Sequence, residues 1–327
     1  MAKFLIIQTA FIGDVILSTP VIEKLKKEFP SCRIDFLLRK GNEGLFENHP
    51  FIHKLYIWNK KEKKYAGMLS ILKEIRKEKY DYAINLQRFM ATGVFTVFSG
   101  ARTKIGFNKN PLSFFFTKRY QHIIDQTKVN VHEIDRNLLL LSDVVKNHER
   151  QMPGLYPSKS DYDQVPAGNY ITISPTSVWF TKQYPAIYWI EMIKKVPINY
   201  TVYLLGGKTD FDSCELIKNE SGSERVVNMA GKLSFLQSAA YMQSARMNYV
   251  NDSAPLHIAS SMKAPVTAVF CSTSPNFGFG PLGENSRVVE VIPSPPCKPC
   301  GLHGYKACPL GHFKCADIEP SAILGDI

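Results

Sequence analysis

Long apolar runs are missing from this sequence of 327 residues. No window approaches the roughly 18 to 20 uninterrupted apolar residues that a membrane-spanning helix needs. The apolar stretch at residues 4–7 is too short for the core of a signal peptide, and no cleavage pattern follows it. A chain with neither a spanning helix nor an export signal is expected in the cytoplasm, where any contact with a membrane would be peripheral.

Cysteine is sparse and odd in number, since the chain contains seven. An odd set in a chain of this length does not suggest a secreted disulfide scaffold, which agrees with a cytoplasmic location. Near the end of the chain, however, cysteines cluster, and the first two, Cys297 and Cys300, are separated by two residues, a spacing that would suit structural zinc. The residues concerned are Cys297, Cys300, Cys308 and Cys315, with His303 and His312 nearby. Plain reduced thiols are the favoured interpretation, and a metal analysis would decide.

Acidic residues are under-represented in the first half of the chain. Residues 1–150 hold 26 Lys and Arg against 15 Asp and Glu, whereas residues 151–327 hold 14 of each, so the net charge of +11 lies entirely in the first half. An excess of positive charge confined to one half of the chain creates an electric field that attracts acidic partners, among them a phosphorylated glycolipid, an anionic membrane surface or nucleic acid. A solvated lysine-rich surface is the simpler alternative for the lysine-rich stretches.

What the first half does contain is an alternation of short strands and helices. Apolar, β-prone runs at residues 4–7, 34–38, 55–58 and 82–86 predict buried strands, and helical or loop stretches separate them. After the first strand, Val21, Ile22, Leu25 and Phe29 follow helical spacing. Pro20 lies inside this pattern and should either kink the helix or open its main segment. The pattern is typical of an α/β domain.

A second alternating series follows a stretch without periodicity. Residues 142–168 gain Pro, Ser and Asp and indicate a connection between domains. Strands are then predicted at residues 170–173, 201–205, 226–227, 247–250 and 266–270, with helices at 188–196, 235–244 and 256–261. We therefore expect two doubly wound α/β domains, residues 1–157 and 158–327, with ligands at the carboxyl ends of their strands.

The loops after these strands carry the candidate site residues. Gly13 and Asp14 follow the first strand, and Asp14 is the strongest catalytic candidate; a helix-capping aspartate is the alternative. Hydroxyls at Thr176 and Ser177, with Lys182 shortly after, would suit a diphosphate. The other loop residues are Gly206 and Gly207 with Asp210, then Asp252 and Ser253 with His257. Taken singly, the two glycines with Asp210 are also consistent with an ordinary turn. Asp252 and Ser253 are consistent with a capping pair, and His257 with a packed helix histidine.

Four of these segments together resemble glycosyltransferases of the heptosyltransferase family (glycosyltransferase family 9, lipopolysaccharide core biosynthesis). The matching segments are residues 13–20, residues 175–177 with 182–185, residues 205–207 with 210, and residues 252–257. Ala254 stands where the family usually has glycine, and Leu256 stands where it often has methionine. The resemblance spans nearly the whole chain and implies a GT-B fold, in which two Rossmann-like domains face each other across a cleft.

The resemblance also implies a role for each matched residue. Asp14 would be the general base. The donor would be bound by Thr176, Ser177, Lys182, Gly206, Gly207, Asp210, Leu233, Asp252, Ser253, Ala254 and His257. The acceptor side would comprise Gly13, Arg88, Arg102 and Lys104. The N-terminal domain would then bind the acceptor, and the C-terminal domain the nucleotide sugar.

The implied activity is an inverting transfer of heptose from ADP-heptose to the inner core of lipopolysaccharide, an anionic glycolipid that suits the basic N-terminal half. It would take place on the cytoplasmic face of the inner membrane and require no cofactor. Asp161-Tyr162-Asp163 and Asp210-Phe211-Asp212 spell a metal-binding Asp-x-Asp pattern, but this pattern is common by chance. A transferase using another nucleotide sugar is an alternative, and a non-enzymatic nucleic-acid binder lacks any recognised reading motif.

Overall fold

The computed structural model describes residues 1–62, 64–125 and 131–325. These residues form two compact units, one comprising residues 1–125 and 131–156, the other residues 157–325. The division thus falls between Tyr156 and Pro157. No helix within the described ranges is long and apolar enough to cross a membrane.

Unit 1 is built on six parallel strands in the order β3-β2-β1-β4-β5-β6. The strands are β1 Lys3–Ile7, β2 Arg33–Arg39, β3 Ile52–Trp58, β4 Tyr82–Asn85, β5 Thr103–Phe107 and β6 Lys118–Tyr120. This is the strand order of a Rossmann sheet, in which the order of the strands, but not their direction, reverses between β1 and β4. The carboxyl ends of these two neighbouring strands are therefore where a ligand site is expected.

The described part of unit 1 contains five α-helices, of which the last follows the final strand: α1 Ile12–Ile16, α2 Thr19–Glu28, α3 Lys64–Glu78, α4 Met90–Phe98 and α5 Glu133–Leu139. Pro20 is in the first turn of α2, where the missing N–H of proline costs no intrahelical hydrogen bond. It therefore opens the helix, one of the two outcomes predicted from the sequence.

The central position of β1 explains its uninterrupted apolar run. Phe4, Leu5, Ile6 and Ile7 are all fully buried, because helices cover both faces of a parallel sheet. Leu5 and Ile7 face a core that also contains Trp58 and Phe95. The sequence pattern missed β5 and β6, since β5 includes a lysine and a glycine and β6 is a three-residue edge strand that is largely charged.

Unit 2 repeats the architecture, with six parallel strands in the order β12-β11-β10-β7-β8-β9. They are β7 Tyr170–Ser174, β8 Thr201–Leu204, β9 Val226–Asn228, β10 Asn248–Asn251, β11 Val266–Val269 and β12 Ser286–Val289. Read from β7, the order is again that of a Rossmann sheet, and the strand order reverses between β7 and β10. The predicted fold class, two doubly wound α/β domains, is confirmed.

The helices of unit 2 are α6 Lys159–Tyr162, α7 Ala186–Lys195, α8 Phe211–Ser221, α9 Phe235–Ser244, α10 Ala254–Ser261 and α11 Pro320–Leu324. Trp189 and Ile193 of α7 pack with Ile217 of α8 and Ile323 of α11 in the main core. The sequence analysis did not predict α8, α11 or β12. Asp161 of the Asp-x-Asp pattern lies in α6, where its carboxylate accepts a hydrogen bond from the N–H of Ser158 at 2.7 Å, so it caps a helix.

Candidate active site

Asp14 lies at the carboxyl edge of the unit 1 sheet, in the short helix α1 that follows β1. Its carboxylate is half-buried and accepts a hydrogen bond from the N–H of Phe11 at 3.2 Å. Burial, reinforced by the negative charge of Glu133, raises the pKa of Asp14 to about 6, although the Phe11 hydrogen bond and Arg39 act in the opposite direction. A carboxylate with such a pKa is ionised near neutral pH yet basic enough to accept a proton.

Cationic side chains flank this loop. The guanidinium of Arg39, at the end of β2, lies 4.8 Å from the centre of the Phe11 ring. The ammonium of Lys60 donates a hydrogen bond to the carbonyl of Thr9 at 2.7 Å. Burial, together with the charges of Arg39 and Lys64, lowers the pKa of Lys60 to about 8. The edge of the sheet around Asp14 is therefore positively charged and partly desolvated.

Gln87 ties the loop after β1 to the loop after β4. Its side-chain carbonyl accepts hydrogen bonds from the N–H of Thr9 at 3.1 Å and from the Thr9 hydroxyl at 2.7 Å. Arg88, the next residue, is exposed at the same edge. The structure thus brings Gly13, Asp14 and Arg88 to one edge of the unit 1 sheet.

Arg102 and Lys104 are not brought to that edge. Arg102 precedes β5, and its guanidinium lies 3.5 Å from the carboxylate of Asp81, which precedes β4. Lys104 is the second residue of β5 and pairs with Ala83. At about 3.3 Å per residue, Arg102 is roughly 17 Å from Phe107, the carboxyl end of its strand. Both residues therefore belong to the amino-terminal part of the sheet, away from Asp14.

In unit 2, Lys182, Asp252 and Thr273 form a compact polar cluster. The ammonium of Lys182 is 2.6 Å from the Asp252 carboxylate, and both side chains are largely buried. The hydroxyl of Thr273 donates a hydrogen bond to the same carboxylate oxygen at 2.6 Å. The residues come from the loops after β7, β10 and β11, which end at the same edge of the parallel sheet. Lys182 and Asp252, which are 70 positions apart in the sequence, thus meet; the resemblance assigns both of them to the donor site.

The first turn of α10 lies beside this cluster. Ser253 is the N-cap residue of α10, with extended backbone and its hydroxyl directed to the carbonyl of Asn251 at 3.4 Å. Ala254 and Pro255 begin the helix, and His257 is buried within it. A helix N-terminus presents N–H groups and a partial positive charge, which favours an anion. A diphosphate beside Lys182 would meet both the N–H groups and the partial positive charge of α10.

The loop that contains Thr176 and Ser177 is held by buried hydrogen bonds. The side chain of Asn251, fully buried at the end of β10, donates to the carbonyl of Pro175 at 2.8 Å and accepts from the N–H of Tyr184 at 2.9 Å. It therefore joins the segments on either side of the Lys182 loop to the strand that precedes Asp252. Thr176 and Ser177 are left half-buried at the carboxyl end of β7.

Gly206 and Gly207 follow β8, and the small size of Gly206 is structural. A Cβ atom on Gly206 would lie 2.8 Å from the Cβ atom of Asp210, a contact that is too close for any other residue. The Asp210 carboxylate accepts a hydrogen bond from the N–H of Gly207 at 2.7 Å, so Asp210 stabilises the turn itself. Leu233 is half-buried in the loop after β9, the next strand of the sheet.

Comparison with known proteins identifies the family. The profile of glycosyltransferase family 9 (heptosyltransferase) matches residues 68–304. Lipopolysaccharide heptosyltransferase 3 of Escherichia coli is 30% identical over 279 residues, which cover 80% of this chain and 82% of the relative. The chain belongs to glycosyltransferase family 9.

Solved structures share the family 9 fold. The E. coli ADP-heptose lps heptosyltransferase II superposes with a TM-score of 0.79 at 18% identity, over 98% of this chain and 96% of that one. E. coli heptosyltransferase WaaC, solved with ADP-2-deoxy-2-fluoro heptose, gives a TM-score of 0.72 at 17% identity, over 88% and 93% of the two chains. The resemblance drawn from the sequence motifs is confirmed, and the chain is a glycosyltransferase with the GT-B fold.

The cysteine-rich segment of this family 9 protein packs against the Lys182 loop. Tyr305 donates its N–H to the hydroxyl of Thr181 at 2.8 Å, and its carbonyl accepts from the N–H of Thr181 at 3.1 Å. All seven cysteines are free thiols. Across residues 1–62, 64–125 and 131–325, no three His, Cys, Asp or Glu side chains are arranged to hold a metal ion.

Several residues of the site were missed by the sequence analysis. In unit 1 they are Arg39, Lys60, Gln87 and Glu133, which reach the Asp14 loop from other strands and from α5. In unit 2 they are Asn251 and Thr273. Asn251 ends β10 and Thr273 follows β11. Ligands are expected at the carboxyl ends of such strands, so this expectation could have found both residues. Arg39, Lys60 and Gln87 likewise end or follow strands of unit 1, whereas Glu133, in α5, carries no such signal.

Proposed function

We propose that this family 9 glycosyltransferase transfers heptose from ADP-heptose to the inner core of lipopolysaccharide, with inversion at the anomeric carbon. Its relative from E. coli is a lipopolysaccharide heptosyltransferase, and the similar WaaC is solved with an ADP-heptose analogue. The observation that carries the proposal is the position of Asp14, a half-buried carboxylate with a raised pKa at the carboxyl edge of unit 1.

The reaction needs a base that works near neutral pH. Asp14 would take the proton of the acceptor hydroxyl while its oxygen attacks the anomeric carbon, and the bond from that carbon to the ADP oxygen would break. Positioned general-base catalysis of this kind contributes about 10² to 10⁴ in rate. The pKa of about 6 leaves Asp14 largely ionised at neutral pH.

The leaving ADP gains negative charge as the bond breaks. Lys182 and the first turn of α10 would stabilise this charge on the diphosphate, because preorganised donors act most strongly where charge develops. Asp252 and Thr273 fix the position of the Lys182 ammonium. With these groups in place, we propose that the transfer requires no metal cofactor.

The acceptor proposal follows from the charge of unit 1. Arg39, Lys60 and Arg88 lie at the edge that carries Asp14, and they would meet the phosphates and carboxylates of the lipopolysaccharide inner core. Because such an acceptor is anchored in a membrane, we also propose peripheral contact with the cytoplasmic face of the inner membrane. This contact would exploit the excess positive charge of residues 1–150.

The test is release of nucleoside diphosphate from ADP-, UDP- and GDP-sugars with a truncated lipopolysaccharide acceptor. We expect turnover of ADP-heptose, and a loss of about 10² to 10⁴ in kcat for Asp14→Asn with donor affinity retained. Asp143→Asn, an exposed carboxylate of the same unit paired with Lys118, is the matched control and should retain full turnover. If turnover is found only with another nucleotide sugar, that sugar replaces ADP-heptose as the donor. Full activity of Asp14→Asn would exclude the role of Asp14 as base.

A further inference from the structure

One segment of unit 1 has no acidic residue at all. Between Asp81 and Asp125 the sequence contains neither Asp nor Glu. It does contain six cationic residues, which are Arg88, Arg102, Lys104, Lys109, Lys118 and Arg119. The segment covers β4, α4, β5 and β6 with the loops between them. The segment itself therefore carries charge of one sign, while Arg102 and Lys118 pair with acids outside it, Asp81 and Asp143.

Large apolar side chains are exposed in the same segment. Phe114 is 76% exposed, Phe115 57%, Phe89 55% and Met90 53%. Phe114 and Phe115 contact each other edge to face, with ring centres 5.1 Å apart. Single exposed apolar residues are common on proteins, but a cluster of aromatic side chains in water indicates a surface for another component.

The two loops that carry these side chains are fixed together. They follow the neighbouring strands β4 and β5, whose last paired residues are Asn85 and Gly106. The Asn110 side chain donates hydrogen bonds to the carbonyl of Gln87 at 3.1 Å and to that of Phe89 at 2.9 Å. The loop of Asn110, which continues to Phe114 and Phe115, is therefore held against the loop that carries Phe89 and Met90 at the carboxyl edge of the sheet, the edge that also carries Asp14.

Two cations belong to this edge. The guanidinium of Arg88 lies 5.7 Å from the centre of the Phe89 ring, and Lys109 is exposed in the loop that contains Asn110. We call this set the aromatic-basic face; it consists of Arg88, Phe89, Met90, Lys109, Phe114 and Phe115. Aromatic rings with adjacent cations match the interface of an anionic bilayer, where rings lie at the headgroup level and cations meet lipid phosphates.

We propose that the aromatic-basic face docks unit 1 on an anionic phospholipid bilayer. Charge complementarity selects this occupant, since the face lacks acids and the bilayer surface is negative. Docking would turn the edge that carries Asp14 toward the membrane, where the saccharide of a glycolipid begins. The proposal deepens the peripheral membrane contact proposed above, but its test uses no sugar substrate and so is independent of the proposed activity.

The experiment is sedimentation of the full chain with vesicles of phosphatidylcholine alone, or mixed in equal parts with phosphatidylglycerol. We expect binding to the mixed vesicles that weakens with salt, and little binding to neutral vesicles. The double variant Phe114→Ser with Phe115→Ser should bind about tenfold more weakly, because each ring loses its burial in the interface. Lys109→Gln should reduce the preference for anionic vesicles.

Phe98→Ser is the matched control. Phe98 is 52% exposed but lies at the other end of α4, so its loss should leave vesicle binding unchanged. Equal binding of the double variant and the unaltered chain, no binding to either vesicle, or an equal loss in Phe98→Ser would overturn the proposal. Unchanged turnover of a deacylated, water-soluble acceptor by the double variant would show that the fold and the active site are intact.

Discussion

At the scale of single residues, the environment of Asp14 determines how turnover should depend on pH. Its pKa of about 6 arises mainly from burial and secondarily from Glu133. We expect kcat/KM to rise with pH around a midpoint near 6 and to level off above it, because only the ionised carboxylate accepts a proton. A pH profile of ADP release measures this. An acidic limb near pH 4 would show that the base is an ordinary exposed carboxylate.

Asp14→Glu is a useful companion to this profile. It keeps a carboxylate but moves it by one methylene, so we expect turnover to fall about 100-fold while the acidic limb persists. Residual turnover of Asp14→Asn that keeps the same acidic limb would assign the limb to another group.

The same raised pKa makes a prediction about stability. The folded pKa of about 6 exceeds the ordinary value of 3.8, so the folded protein binds the extra proton between these pH values. The contribution of Asp14 to stability therefore falls as pH rises from about 4 to about 6, and the penalty is complete above that range. Asp14→Asn should melt at a higher temperature than the unaltered chain at about pH 7, with the difference vanishing near pH 4. Equal melting temperatures at both pH values would contradict the burial of the charge.

At the scale of elements, one strand end holds the loops of the proposed donor site. Asn251 bonds Pro175 and Tyr184 from the end of β10. Asn251→Ala would free both segments, and we expect the KM for the sugar nucleotide to rise about tenfold or more, since buried groups are left without partners. Steady-state kinetics with varied donor concentration measure this.

Asn248→Ala is the matched control for this strand. Asn248 is also fully buried in β10 but at its other end, where its side chain donates to the carbonyls of Met242 and Pro265 at 2.8 Å. It should lower the melting temperature to a similar extent and leave the donor KM unchanged. Equal changes in KM for both variants would mean that Asn251 acts through overall stability alone.

Strands with a continuous apolar run were predictable, whereas two of the edge strands were not. The strands β1, β2, β7 and β11 lie close to the predicted ranges, because strands buried on both faces need unbroken apolar sequence. The edge strands β6 and β12 were missed, since they are half-exposed and their stabilisation comes from one neighbour only.

At the scale of the whole molecule, the two units have separate sheets and separate cores. If unit 2 binds the nucleotide, ADP should slow hydrogen exchange in the segments around residues 174–184 and 251–257 and leave β2 of unit 1 unchanged. Exchange measured by mass spectrometry, with and without ADP, tests this assignment. Lys182→Met is the control and should abolish most of the protection. Protection confined to unit 1 would reverse the proposed roles of the two units.

By itself, the sequence determined the fold class, the family and the residues that follow the strands of each sheet. These features are local, because strand runs, helix spacing and loop motifs lie within a few residues of one another. Only the tertiary structure decided that Lys182 pairs with Asp252, that Arg102 is remote from Asp14, and that Glu133 and Arg39 surround the Asp14 loop. Distances between residues far apart in the chain, and the desolvation that raises the pKa of Asp14, depend on how distant segments pack, which local sequence patterns do not encode.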